Sequence, residues 1–479
     1  MMYLKKICAF FSLLICTSFA YAHICPRTNP DLEGITIPVN IAPLHFRLTN
    51  VPRKSAAVFS AGNTSVRVRT RRNGLVAIGR KSWSKLTYKA AGSSIQVTVY
   101  VCEKGAWAEY MCFEIHVSED KIDPVVVYRL VEPGYELWNH MGIFQRDLES
   151  FRERKIVHND ALEGACINCH SFCNRNPSRF LFHMRVKNGG TYVVNDGNIE
   201  KLNTKTEHTI SALVYPSWHP SGRFVAFSVN DTKQSFHTTD PNRIEVFDRA
   251  SDVVVYDMES HEIISCPSLS SEDKFETFPT FSPDGRTIYF CSAQSRDMPS
   301  GYDKVAYSLC SIEFDPVTRT FGNEVKNIYQ DRNVSFPRVS PDGRFILMTI
   351  SSYGNFSIWH KDADLVLLDL ADNSVKPIEC LNSCDVESYH CWSSTGRWVI
   401  FSSRRDDGLY TRPYIGHIDK NGVASKPFPL PQKDPAFYDS FMKSYNIPEF
   451  VSGPVTIGER QISRCAGREG TDITFRMIE

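Results

Sequence analysis

The 479-residue chain lacks an excess of either charge: Lys+Arg and Asp+Glu both number 54. A general nucleic-acid binder is normally basic, so no nucleic-acid partner is expected. There is no Gly-x-Ser-x-Gly elbow, which excludes an appended hydrolase domain of that kind. A Gly-rich phosphate loop and a His-Glu-x-x-His pair are also missing. Asp406 and Asp407 are adjacent and point apart, so they make no acid–base pair. Nothing positive marks an enzyme. Beyond the N-terminus no apolar run reaches membrane length, so no transmembrane span is expected in the mature chain. Low-complexity tracts are absent too, and the length suits two or three domains.

What is present begins with an export signature. Residues 1–22 read "MMYLKKICAFFSLLICTSFAYA". Lys5 and Lys6 form the positive start, Ile7 to Phe19 the apolar run, and Ala20-Tyr21-Ala22 the small-residue cleavage region. This predicts a signal peptide and a periplasmic or cell-envelope protein. The large Ile15 argues against lipidation at Cys16.

Removal of that segment takes Cys8 and Cys16 from a total of 15 cysteines, an odd remainder in a compartment that permits disulfides. Cys102 and Cys112 lie symmetrically about a turn at Lys104–Trp107, which predicts a cross-strand disulfide, subject to geometry. "CLNSC" at 380–384 is a weaker candidate.

Residues 23–125 alternate in short runs with turn residues and read as a β-sandwich-like domain without a convincing helix. Residues 126–177 break that pattern. Leu137, Met141, Phe144, Leu148 and Phe151 are spaced by four, three, four and three, one stripe of a helix, so this segment reads as a helical linker.

From 178 to 479 a repeat organises the chain. "YPSWHPSGRFVAFSV", "FPTFSPDGRTIYFCS", "FPRVSPDGRFILMTI" and "YHCWSSTGRWVIFSS" share an aromatic start, a Ser-Pro-Asp-Gly-like turn, an arginine and an alternating strand. Their glycines stand at 222, 285, 343 and 396. Gly supplies the positive φ that such a turn needs. Further strand pairs follow each hairpin, as in "DVVVYDMESHEIISC" and "DLVLLDLADNSVKPI". Four strands per repeat, arranged radially, is a β-propeller. A fifth copy from 178 lacks its first strand and turn, and the tail after about 437 is expected to close the ring. The fold class is therefore all-β, with a five- or six-bladed propeller.

These turn motifs resemble the WD-repeat-like blades of TolB-like β-propellers, exported proteins of bacterial envelopes. The resemblance covers roughly 178–435. Ser221 and Thr395 replace its aspartate and Ser394 its proline. It implies fold, and usually six blades, but not function.

With the turns on one face, the long loops between second and third strands converge on the other. They carry His237, Arg243, Arg296, Tyr302, Trp359, His360, Arg404, Arg405, Tyr410 and Arg412. Aromatic and Arg-rich loops on a rigid scaffold suit a binding surface. The expected partner there is an envelope protein or a glycan.

"GACINCHSF" contains Cys166-Ile167-Asn168-Cys169-His170, the c-type haem attachment pattern. On a helical turn both thiols would reach the haem vinyl groups and His170 the iron. His183 is the candidate sixth ligand, because alternation in "FLFHMRV" places Met184 in the core and His183 opposite it. The leading reading is one haem c. A disulfide among Cys166, Cys169 and Cys173, or zinc on that cluster, remains open, and so does a haem-free propeller scaffold.

Overall fold

The computed structural model describes residues 28–49, 54–132 and 140–479. The signal segment 1–22, Cys16 and Leu137 lie outside the described residues. The fold is all-β and propeller-like. Among the described residues no helix is long and apolar enough to cross a membrane.

Six sheets succeed one another around a common axis. The first strands of sheets 2 to 6 are Cys166–Phe172, Leu213–Trp218, Lys274–Phe281, Asn333–Val339 and Glu387–Trp392. Sheet 1 takes its first strand, Ser444–Val451, from the C-terminal part of the chain. That strand pairs antiparallel with Val125–Val131, which is followed by Met141–Asp147 and Glu153–His158. Consecutive first strands contact one another in a closed cycle. The tail thus supplies a missing strand, as expected, but to sheet 1. The 178 copy lacks nothing, since Cys166–Phe172 is its first strand.

The turns behave as their chemistry requires. Gly222, Gly285, Gly343 and Gly396 all have positive φ, between 65° and 75°. The Arg286 backbone N–H donates to Asp284 Oδ1 (3.0 Å), and the Thr287 N–H to Ser282 Oγ (3.0 Å). Ser221 and Thr395 accept the equivalent bonds from Arg223 and Arg397. Hydroxyls replace the aspartate without loss of the turn.

The helical linker expected over 126–177 is a correction for its described residues. Met141–Asp147 is a strand paired on both edges. Met141 and Leu148 are buried as the stripe implies, but the pattern serves a sheet. Gly142 explains part of this: a Cβ there would lie 2.7 Å from the Val157 carbonyl oxygen, so close strand packing uses its missing side chain.

The N-terminal region has a five-stranded sheet containing Ser55–Ala61, Ser93–Glu103 and Ala106–Ser118, and a three-stranded sheet. It also holds a helix, Arg80–Lys89, that sequence reading missed. Trp83 anchors the helix, its Nε1–H donating to the Ile41 carbonyl (3.0 Å). The core here is continuous with sheets 1 and 6 through Trp398, Phe428, Tyr445 and Phe450.

The Cys102–Cys112 disulfide is also a correction. In this hairpin Cys102 opposes Trp107 and Cys112 opposes Thr98, and both thiols are free. The two positions are four pairs apart along the ladder, roughly 13 Å at strand rise, which no disulfide spans. Cys380 and Cys384 are free as well.

Candidate functional site: the axial cavity

Each of the six first strands is interrupted at the same place. A residue in the left-handed region sits at a register shift: Cys169, Tyr215, Phe278, Phe336, Tyr389 and Ile447, with φ between 41° and 53°. These are β-bulges, which re-aim side chains. Each such conformation costs of the order of 1 kcal/mol or more for a residue other than glycine, so the surrounding packing must impose it. Four of the six form a run of ring contacts. Tyr215 meets Phe278 at 4.6 Å, Phe278 meets Phe336 at 4.5 Å, and Phe336 meets Tyr389 at 4.7 Å.

These bulges border an axial cavity of about 340 Å³ on the hairpin-turn side, lined from all six sheets. Aromatic walls come from Trp218, Phe281 and Trp392. Three charged residues also line it: Arg175, Arg338 and Glu449. The Glu449 carboxylate accepts the Phe172 backbone N–H at 3.0 Å. Burial pushes its pKa up to about 7, against the pull of Arg338 and Arg175. Arg338 is lowered by the same desolvation. Arg175 Nε–H donates to the Trp392 carbonyl at 2.8 Å.

The bulge also explains the cysteine–histidine motif. The residue after the left-handed one is proline in four sheets (Pro216, Pro279, Pro337, Pro448) and histidine in two, His170 and His390. A bulge leaves that N–H unused in the ladder, so proline fits. His170 is 2% exposed and lies against the Val127 and Ile447 backbone of sheet 1, without a well-formed hydrogen bond. His390 makes the same approach to sheet 5, where Nε2 lies 2.8 Å from the Leu347 carbonyl oxygen. Burial depresses both imidazoles to about 3. "NCHSFCNRNPSRFLF" is thus a divergent copy of the blade motif, with two extra residues in its turn. Aligning it with "SYHCWSSTGRWVIF" would have revealed it.

The haem expectation is therefore corrected. Cys166–Phe172 is a strand, and its residues diverge. Cys166 packs against the core between sheets 1 and 2, and its Sγ accepts from Asn168 Nδ2 (3.0 Å). Cys169 faces the axial cavity and His170 the neighbouring sheet. Two thiols and one imidazole aimed three ways do not serve one porphyrin. His183 is buried and bonded through Nδ1 to Thr191 Oγ1 at 2.9 Å, with its pKa lowered to about 3 by burial. Met184 is core, as read. Cys166, Cys169 and Cys173 are free thiols, and among the described residues no His/Cys/Asp/Glu cluster suited to a metal ion occurs.

On the opposite rim the long-loop residues converge only in part. His237, Tyr302, Tyr353 and His360 form a run of ring contacts of 6.1, 5.7 and 4.6 Å. His360 is fully buried and pairs with the buried Glu245 at 3.2 Å. Arg404 lies 3.4 Å over the Trp359 ring. Arg405 pairs with Glu387 at 3.0 Å. Arg412, 1% exposed and stacked near Tyr410, donates to the Lys443 and Phe441 carbonyls at 2.6 and 2.7 Å. Arg243 and Arg296 stand exposed.

No family model matches the chain, and no curated protein does. Solved structures similar in outline include an apocarotenoid oxygenase mutant from Synechocystis (10% identity, TM-score 0.39, covering 88% of this chain and 95% of that one). Another is the periplasmic gluconolactonase of Pseudomonas aeruginosa (13% identity, TM-score 0.37, covering 69% and 100%). A third is the tricorn protease (12% identity, TM-score 0.37, covering 81% and 43%). At this distance each is a likeness of outline, and it carries nothing about chemistry.

Proposed function

We propose that this chain is an exported binding module of the cell envelope, a six-bladed TolB-like propeller that takes a small ligand in its axial cavity. The observation that carries this is the lining. Six sheets distant in sequence bring half-buried ionisable groups and aromatic walls around one concave volume. A concave, largely apolar site with few convergent polar groups is the usual form of a small-molecule site. The signal-like N-terminus supports export. Among the described residues neither lining thiol, Cys169 or Cys391, hydrogen-bonds to a lining histidine, and binding is the role we favour.

The test uses Trp218 and Trp392, which line the cavity, as fluorescence reporters. Indole, phenol and phenyl-substituted acids and amines are titrated while melting is followed, since a ligand specific to the folded state raises the melting temperature. A saturable response lost in Val339→Trp, which fills the cavity from a lining position, supports the reading. No response to any probe, or an unchanged response in Val339→Trp, sinks it.

A second reading places an envelope protein or glycan on the long-loop rim. The exposed Arg243 and Arg296 beside the His237–Tyr302 contact favour it.

A further inference from the structure

The axial cavity is not uniform around its circumference. Aromatic side chains come from five of the six sheets, but sheets 3 and 4, with Tyr215, Trp218, Phe278 and Phe281, contribute no charged residue. The charged groups occupy the rest of the circumference. Arg175 follows the first strand of sheet 2, Glu449 belongs to sheet 1, and Arg338 to sheet 5. Going round that part, the order is Arg175, Glu449, then Cys391 of sheet 6, then Arg338.

Two cations and one carboxylate therefore share a wall without being used up by each other. Glu449 feels both guanidinium groups, but it forms no ion pair with either among the described residues. Its hydrogen bond comes from the Phe172 N–H. Arg175 donates through Nε to Trp392, and Arg338 through Nη1 to Pro337 (3.3 Å). The remaining guanidinium donors and the second carboxylate oxygen are left for whatever fills the space.

We infer that the ligand of this cavity is a small amphipathic carboxylate whose anionic end meets the Arg338–Arg175 arc and whose apolar body lies on the Trp218–Phe281 wall. This rests on the axial-cavity reading. A planar carboxylate matches the guanidinium fork. Net positive charge on the arc rejects an organic cation. Glu449, between the arginines, accepts from a donor next to the carboxylate. That donor is the hydroxyl of a hydroxy acid or the ammonium of an amino acid; the shared chemistry is a carboxylate with an adjacent donor.

Isothermal titration of the full chain with five probes on one skeleton tests this: 3-phenylpropionate, 3-phenyllactate, phenylalanine, phenethylamine and 3-phenylpropanol. The three carboxylates should bind, the two with an adjacent donor several-fold tighter than 3-phenylpropionate. Arg338→Gln should weaken all three at least 10-fold while its thermal melt stays cooperative, and Arg175→Gln serves if that variant does not fold. Loss in Glu449→Gln of the advantage of phenylalanine alone assigns the donor as ammonium; equal loss for 3-phenyllactate assigns it as a hydroxyl or either. Phenethylamine or 3-phenylpropanol binding as tightly as 3-phenylpropionate overturns the inference and leaves the cavity as a site. So does carboxylate binding that ignores the arginine substitutions. Binding of none of the five removes the cavity reading itself.

Discussion

The two ends of the propeller axis use the same residue types in opposite ways. On the long-loop rim, three of the five arginines and His360 are consumed by the fold, while Arg243 and Arg296 stay exposed. Arg412 sits in a cage of carbonyls, Arg404 lies on Trp359, Arg405 meets Glu387, and His360 is locked to Glu245. On the hairpin-turn side, Arg338, Arg175 and Glu449 line a cavity and stay incompletely partnered. The difference teaches that a loop rich in arginine and aromatics marks a binding surface only if those groups are left free. Loop composition alone does not distinguish the two cases.

The largest expected effect sets one end against the other. Arg412→Ala removes a buried cation from three carbonyl partners, at Lys443, Phe441 and Tyr438. It should cost about 3 kcal/mol or more in denaturant unfolding, the scale of a broken buried polar network. Arg338→Gln should cost less than about 1 kcal/mol, in line with a residue retained for binding. Equal losses would erase the contrast.

Next in size is a pH effect on stability. His170, His183 and His390 are held near 3 in the fold by burial, against about 6.5 in an unfolded chain. The folded state therefore binds fewer protons than the unfolded one between those values. Stability should be fully present above about pH 6.5 and fall as pH drops toward 3. At pH 5 each imidazole contributes up to about 2 kcal/mol of loss. Glu449 acts in the opposite sense: its raised pKa near 7 removes stability as pH rises through 4.5 to 7. Urea midpoints at pH 5 and 7 for the wild-type chain and His183→Gln measure the histidine share. A variant as acid-sensitive as wild type would contradict it.

A smaller effect sharpens the bulge comparison. His170→Pro installs the residue that four other sheets carry at this place. It should cost about 1–2 kcal/mol, for lost packing only. Asn168→Pro, two residues earlier and inside the ladder opposite His183, should cost about 3 kcal/mol or more. Thermal melts of the two variants check the order. The smallest effect is at the surface. Cys112→Ser should shift unfolding by less than about 0.5 kcal/mol, and the exposed Cys112 thiol should react with a maleimide without reductant. A thiol blocked until reduction would restore the disulfide.

Much of this fold was legible because it is local. The Ser-Pro-Asp-Gly turns act over a few residues, through one hydroxyl or carboxylate and one glycine, and four copies announced themselves. A fifth copy was read without its first strand and turn, and the sixth sheet was not read as one, although the tail was expected to close the ring. "NCHSFCNRNPSRF" hid behind a resemblance to a haem site and a lengthened turn. The tail strand was expected, but its partner was not, because Ser444 is separated from Val131 by most of the chain. The stripe from Met141 to Phe151 was misjudged because helical spacing over so few residues coexists with strand burial once neighbours are present on both edges.

The candidate site was less legible than the fold. Its charged residues carry no motif: Arg338 and Glu449 become lining groups when a bulge re-aims their strands, and Arg175 when the turn after Cys166–Phe172 brings it to the axis. The sequence by itself determined the hairpin turns, the apolar alternation of the strands and the need for a closed all-β ring. Only the tertiary structure decided that His170 packs against a neighbouring sheet, that Arg412 is buried, and that two arginines and a glutamate share one wall. The physical reason is range. Turn geometry and alternation are set by covalent neighbours, whereas burial, desolvation and the partner of a charge are set by residues brought together when the ring closes.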